Sequence, residues 1–227
     1  MYTVEDWSRV NKFLLNSDKC RELRISFTKN KVDLPVVVAD GHNLDVVDHA
    51  KLLGVTITSN LSWNMHVSEV VKKASKRLYF LRQLKRAQVE KADLLRFYTS
   101  CIRSVCNYAI PVFHTSLPQY LMDNMEHVQK RALSIMCPTL SYDNALASLD
   151  LELLVVHHQH LCQSLFDNIL ENADHCLHHL LPDPHSSKHT LGHARAFDVT
   201  LKTCRARNCC INSQCLQVNS IGKPSDF

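Results

Sequence analysis

The spacing of apolar residues changes near residue 60, and this change divides the chain into a β-rich part and a helical part. Before that point, apolar and polar residues alternate over residues 20–28, which is typical of a half-buried strand. The sequence also predicts a short helix over residues 4–15, a hairpin over residues 34–47 that turns at Asp40-Gly41, and a β-rich segment over residues 51–58.

From Leu61 onward, apolar residues recur with the 3.6-residue period of an α-helix. Ser62 is placed to cap a first helix, and its apolar stripe comprises Val67, Val70, Val71, Ala74, Leu78, Leu81 and Leu84. Further helices are predicted over residues 89–108, 117–136, 142–149 and 151–170. The last two predicted helices are followed by an irregular tail after His175. The aromatic residues expected in the core are Trp7, Trp63, Tyr98, Tyr108 and Phe113.

This pattern predicts a mainly α fold with a small antiparallel β part (α+β). The chain has 227 residues, of which 45% are hydrophobic and 21% charged, and these fractions are ordinary for a globular protein. Glycine is scarce, at 4 residues. Neither a GxGxxG nor a GxxxxGK[ST] loop can be written, which argues against the common nucleotide-binding enzyme folds.

The positive charge of the chain is concentrated in one stretch. Seven basic residues and no acidic residue lie between positions 72 and 86, and they are Lys72, Lys73, Lys76, Arg77, Arg82, Lys85 and Arg86. The net charge is +4, so the rest of the chain is slightly acidic. A basic amphipathic helix of this kind can bind nucleic-acid phosphates. Such a helix can also be a solvated surface that keeps the protein soluble, or can bind a membrane or a partner protein.

Composition also bears on the cellular setting. No run of eighteen apolar residues exists, and the N-terminal residues lack the apolar centre of a signal peptide. We therefore expect an intracellular protein, nuclear or cytoplasmic, with no membrane partner. The ten cysteines are then expected to be reduced thiols, not a disulfide framework.

Three segments resemble a known family. They are KLLGVTITSNLSWNMHVSEVVKKASKRLYFLRQLKRA (residues 51–87), LLRFYTSCIRSVCNYAIPVFHTSLPQYL (residues 94–121) and MEHVQKRALSIMCP (residues 125–138). Together with WSRVNKFLLNSDKCRELRISF (residues 7–27), they resemble the C-terminal region of non-LTR (LINE-type) retrotransposon reverse transcriptases. The resemblance implies a palm remnant over residues 1–58, a thumb-like helical bundle over residues 59–150, and a C-terminal helix with an irregular His/Cys-rich tail over residues 151–227.

The resemblance also implies what the chain binds and what it lacks. No Asp-Asp pair occurs in the sequence, so the two-metal site of such a polymerase is missing and no catalytic residue, enzyme activity or cofactor is expected (Mg²⁺ only in the intact parent enzyme). A thumb grips the template–primer backbone. This implies weak, sequence-independent binding of an RNA/DNA duplex by the seven basic residues, with Lys130 and Arg131 as a second cluster.

The histidines and cysteines raise two other possibilities, a zinc site and a cysteine–histidine catalytic site. The tail holds His175, Cys176, His178, His179, His185, His189, His193, Cys204, Cys209, Cys210 and Cys215, but their spacing does not suit a compact zinc site. Cysteine–histidine catalysis would need Cys101, Cys106 or Cys162 with His114, His157, His158 or His160, and these thiols are expected to be inert core residues. The alternative functions are an inert product of a degenerate gene and a protein-interaction fragment. The sequence leaves the oligomeric state open.

Overall fold

The computed structural model describes residues 4–26, 34–39, 41–182 and 214–215. These residues confirm the predicted fold class at the coarse level, because they are mainly helical with small sheets. The Cα positions form two compact units, Met1–His66 and Val67–Phe227. The domain boundaries predicted at residues 58 and 150 stay predictions.

Within its described residues, the first unit contains one short α-helix, a 3-10 turn (Ser17–Lys19) and six short strands. They are α1 (Val4–Val10), β1 (Arg21–Leu23), β2 (Val38–Ala39), β3 (His42–Asn43), β4 (Asp45–Val47), β5 (His49–Leu52) and β6 (Val55–Thr58). β2 pairs with β3 and β5 with β6, both antiparallel. β1 pairs with β4 in parallel, with Arg21 opposite Asp45. Two of these three pairings are antiparallel, as the sequence predicted, and the parallel one joins segments that are distant in the sequence.

The segment predicted as one β-rich stretch over residues 51–58 is a tight hairpin. β5 and β6 are joined by Leu53 and Gly54, which both have positive φ angles of 46° and 84°. Positive φ at both central residues is the geometry of a type I′ turn, which matches the twist of the flanking strands. A Leu-Gly pair does not carry the usual Asn-Gly or Asp-Gly signal, so the sequence did not reveal this turn.

The second unit is helical. Its helices are α2 (Asn64–Arg86, which begins in the first unit), α3 (Lys91–Phe97), α4 (Ser104–Asn107), α5 (Ile110–Phe113), α6 (Gln119–Met136), α7 (Tyr142–Ser148) and α8 (Leu154–Glu171). A π-helical segment, Tyr98–Arg103, joins α3 to α4. Ser141 caps α7, because its hydroxyl accepts a hydrogen bond from the backbone N–H of Asn144.

The helical unit is held together by the predicted apolar stripes. In α2 the side chains of Val67, Ala74, Leu78 and Leu81 are almost completely buried. Burying each leucine contributes about 2 kcal/mol relative to leaving it in water. This stripe fixes which face of α2 packs inward and leaves the opposite face to solvent.

The aromatic residues divide between core and surface. Tyr98 and Phe113 are buried, as expected, and Trp63 is half-buried with its ring edge against His66. The expectation is wrong for Trp7 and Tyr108, which are each 54% exposed. Trp7 stacks on Phe13 at 5.6 Å, so a local aromatic contact replaces core burial. Tyr108 is the last residue before Ala109, whose positive φ of 54° ends the helical run.

Candidate nucleic-acid interface

The basic stretch lies along α2. Six of its seven side chains are exposed, and these are Lys72, Lys73, Lys76, Arg82, Lys85 and Arg86. Lys72, Lys76 and Arg86 lie opposite the buried stripe, and the others lie at its margins or beyond its last buried residue. Among the described residues, no carboxylate forms a salt bridge with any of these six. Their charges therefore face solvent without internal neutralisation, as phosphate binding requires.

Arg77, the seventh basic residue, is placed differently. Its side chain is half-buried, and its guanidinium donates a hydrogen bond to the backbone carbonyl of Cys101. Cys101 belongs to the π-helical segment, so Arg77 ties α2 to the helix that follows it. Arg77 therefore has a structural contact that the other six lack.

The second predicted cluster lies on another helix. Lys130 and Arg131 are exposed on α6, and the Lys130 ammonium lies 5.2 Å from the centre of the Tyr142 ring. That distance is within the range of a cation–π contact. Lys130 is thus held against α7, and the structure supplies no contact that joins this pair to the six exposed residues of α2.

Two exposed aromatic residues lie among the basic residues of α2, and sequence reasoning missed them. Tyr79 and Phe80 are each 57% exposed, and their rings meet edge to face at 5.6 Å. An exposed ring costs free energy unless a partner covers it. The available signal was their position outside the apolar stripe, because a helical core needs no aromatic residue there.

A groove opens beside Phe80. It has a volume of about 610 Å³ and runs between the C-terminal half of α2 and the segment formed by α3 and the π-helix. Its apolar wall includes Phe80, Leu84 and Phe97, and Arg77 with Cys101 lies at its polar side. No acidic residue lines it. The groove therefore combines aromatic surface with positive charge.

A buried hydrogen-bond network lies deeper in the helical unit. Tyr98 donates to Gln129 Oε1 at 2.6 Å, and Gln129 Nε2 donates to Tyr142 Oη at 3.0 Å and to the Glu152 carbonyl at 2.9 Å. Tyr142 in turn donates to Glu126. Burial has a larger effect on the pKa of Tyr98 than the charges of its neighbours, and it raises that pKa. Burial likewise raises the pKa of Tyr142, so both tyrosines remain protonated and donate the hydrogen bonds that hold the helices together.

Asn107 connects two histidines of α8. Its amide donates to His157 Nε2 at 3.0 Å, and its oxygen accepts from His158 Nε2 at 3.2 Å. His157 Nδ1 donates to Glu152 Oε1 at 2.9 Å. Burial raises the pKa of Glu152, but the hydrogen bonds and charges of His157 and His160 outweigh it, so the pKa is lowered overall.

Burial sets the protonation states of a thiol and a histidine in the helical unit. Burial raises the pKa of Cys106 to about 12, so its thiol stays protonated, whereas a nucleophile must be a thiolate. Burial, and then the charges of His114, His157 and Arg103, lowers the pKa of His158 to about 3. Cys162 is also buried. Cys106 and Cys162 are therefore core residues, as the sequence predicted, whereas Cys101 is half-buried and lines the groove.

The His/Cys-rich tail can be described only in part. Within residues 4–26, 34–39, 41–182 and 214–215, no group of three or more His, Cys, Asp or Glu side chains is placed to hold a metal ion. The candidates His185, His189, His193, Cys204, Cys209 and Cys210 lie outside the described residues. None of the helices in the described part of the chain combines the length and apolar character needed to cross a membrane.

The second unit is helical, and its helix α2 carries six exposed basic side chains. A family model described as "Alkylated DNA repair protein alkB homolog 8, N-terminal" matches residues 63–104. This match spans α2, α3 and the whole π-helical segment, which together form the groove. No curated protein and no solved structure matches the chain.

The match overturns the identification with reverse transcriptases. Residues 63–87 and 94–104 of the match belong to segments that carried that resemblance, and the family model that recognises them describes a different protein. The assignments as a palm remnant, a thumb and a retrotransposon fragment are therefore wrong. The duplex partner also loses its support, because it followed from the thumb alone. The positions of the basic residues on α2 do not depend on the family and remain.

Proposed function

We propose that the chain is a nucleic-acid-binding module that acts through the exposed face of α2. The observation that carries this proposal is the set of six exposed basic residues without a salt-bridge partner among the described residues. Phosphates would lie along Lys72, Lys76 and Arg86, with Lys73 and Arg82 at the sides. Contacts of this kind give affinity without reading sequence.

The family match supports the same class of partner. The name of the matching family refers to the repair of alkylated DNA, so the protein after which it is named acts on a nucleic acid. The matched residues are the ones that contain the basic stretch. We further propose that the chain works by binding, without a catalytic centre or a cofactor of its own.

The proposal is tested with two charge-matched double variants. Lys72→Gln with Lys76→Gln removes two of the central phosphate contacts, and Lys12→Gln with Lys19→Gln removes the same charge from exposed positions in the first unit. Binding of a fluorescent 12-nucleotide strand and of a 12-base-pair duplex is measured by anisotropy at about 50 mM salt. The first variant is expected to lose roughly fivefold to tenfold in affinity.

The control variant is expected to bind within about twofold of the wild type, because its lysines lie off α2. Equal losses in both variants would show that net charge alone drives binding and would contradict the assignment to α2. No binding by the wild-type chain would contradict the function itself.

A further inference from the structure

The groove beside α2 offers a place for something other than a phosphate. We propose that it accepts one unpaired nucleobase of a single-stranded nucleic acid, with Phe80 as the stacking surface. This inference rests on the proposed function and specifies its substrate class: a flexible strand, as opposed to a duplex.

The size and lining of the groove carry the first step. A volume of about 610 Å³ is within the range of roughly 300 to 1,000 Å³ that is usual for pockets that hold small organic molecules. Phe80 and Phe97 supply aromatic surface, and Leu84 supplies an aliphatic wall. A nucleobase is flat and apolar on its faces, so it gains by stacking on such a surface, whichever base it is.

The polar groups of the groove carry the second step. Arg77 has five N–H donors, and the bond to the Cys101 carbonyl uses Nη1. That bond holds the guanidinium at the groove, where its remaining donors can meet the oxygen and nitrogen acceptors on a base edge. Gln83 also lines the groove and offers both a donor and an acceptor. A hydrocarbon ligand would form no hydrogen bond with the Arg77 guanidinium or the Gln83 amide.

The charges around the groove carry the third step, because they favour a ligand with a phosphate backbone. Lys73 and Lys76 precede Arg77 and Phe80 by four residues, so each lies one helical turn away on the same face. Both are exposed. A strand whose phosphates contact these lysines would bring its next base to Phe80. An acidic peptide would satisfy the lysines but not the aromatic wall.

A duplex does not fit this arrangement. Its bases are already paired and stacked, and taking one out costs a few kcal/mol. A single strand can turn a base outward at little cost. The geometry therefore favours single strands, in contrast to the duplex that the sequence had suggested.

The test compares strands that differ only in their bases. A dT12 strand and a 12-unit abasic strand carry the same phosphates, and U12 provides the ribose counterpart. Wild-type protein is expected to bind dT12 or U12 at least fivefold more tightly than the abasic strand, because stacking operates only when bases are present. The sugar that gives the larger ratio identifies DNA or RNA as the source of the base.

Two alanine-to-tryptophan variants, one inside the groove and one outside it, test whether the base binds in the groove. Ala87 lines the groove, and Ala87→Trp fills it without removing any existing contact of Phe80. Ala92→Trp makes the same change at an exposed position of α3 outside the groove. Ala87→Trp is expected to bring the ratio of intact to abasic affinity close to one and leave abasic binding unchanged. Ala92→Trp is expected to retain the wild-type ratio.

The possible failures are distinguishable. If wild-type protein binds dT12, U12 and the abasic strand equally, the base proposal is overturned while phosphate binding by α2 stands. If Ala87→Trp retains the full ratio, the base binds elsewhere and the groove is excluded. If none of the three strands binds at about 50 mM salt, the proposed function fails together with this inference.

Discussion

At the scale of single residues, the helical unit holds a histidine that packing keeps neutral. His158 is buried and donates to Asn107, and its ring meets that of His114 edge to face at 5.5 Å. Burial also lowers the pKa of His114. Protonating either ring would place a charge in the core with no carboxylate partner among its described hydrogen bonds.

This arrangement predicts a stability that depends on pH. The pKa of His158 is about 3 in the folded chain and near 6.5 in an unfolded chain, so the unfolded state binds more protons between these values. Stability is therefore complete above about pH 6.5 and declines as the pH falls toward 3. The wild-type chain is expected to lose roughly 2 kcal/mol of unfolding free energy between pH 7 and pH 5 from this histidine.

Urea unfolding at several pH values measures this loss. His158→Gln keeps a donor for Asn107 but cannot titrate, so most of the decline between pH 7 and pH 5 should disappear. His160→Gln is the control, because His160 is exposed and lies two residues away on α8. A decline in His158→Gln as steep as in the wild type would show that another group is responsible.

At the scale of elements, the hairpin formed by β5 and β6 contains a strained residue. Leu53 has a φ of 46° and is 84% exposed. A left-handed conformation costs a non-glycine residue roughly 1 kcal/mol, and asparagine tolerates it better. Leu53→Asn is therefore expected to stabilise the hairpin and slow amide hydrogen exchange over residues 49–58 by about twofold to fivefold.

Leu52→Asn provides the comparison for this prediction. Leu52 is also exposed but belongs to β5, where the backbone is extended and asparagine is unfavourable. It is expected to leave exchange unchanged or make it faster. If Leu53→Asn also speeds exchange, the turn is not strained in the way its φ angle indicates.

The elements differ in how far the sequence could predict them. The helices α2, α6 and α8 follow from a sustained 3.6-residue period, which depends only on local spacing. The parallel pairing of Arg21–Leu23 with Asp45–Val47 joins segments more than twenty residues apart, and no local pattern encodes it. Pro111 lies in the first turn of α5, where its missing N–H costs nothing, so a proline here does not mark the end of a helix.

The candidate site could also be predicted only in part from the sequence. The basic residues could be found because they lie within fifteen consecutive positions of one predicted helix, with no acidic residue among them. The groove could not be found, because Phe80 and Leu84 on α2 become its wall only when Phe97 and Cys101 pack beside them. Arg77 counted as one more phosphate contact in the sequence, whereas the structure ties its side chain to the Cys101 carbonyl.

At the scale of the whole molecule, positive charge is concentrated on α2 and the rest of the chain is slightly acidic. Seven basic residues within one helix outweigh a net charge of +4 for the complete chain, so the remainder is slightly acidic. A nucleic acid would therefore be drawn to α2 and repelled elsewhere. This asymmetry is a property of the sequence itself and does not depend on the reverse-transcriptase resemblance.

The salt dependence of binding tests the central claim most directly. Each phosphate contact releases counterions, so the logarithm of the binding constant falls linearly with the logarithm of the salt concentration. With five or six contacts along α2, a single strand is expected to give a slope of about −4 between about 50 and 300 mM salt. A slope near zero, with binding retained, would show that α2 does not hold phosphates and would contradict the account.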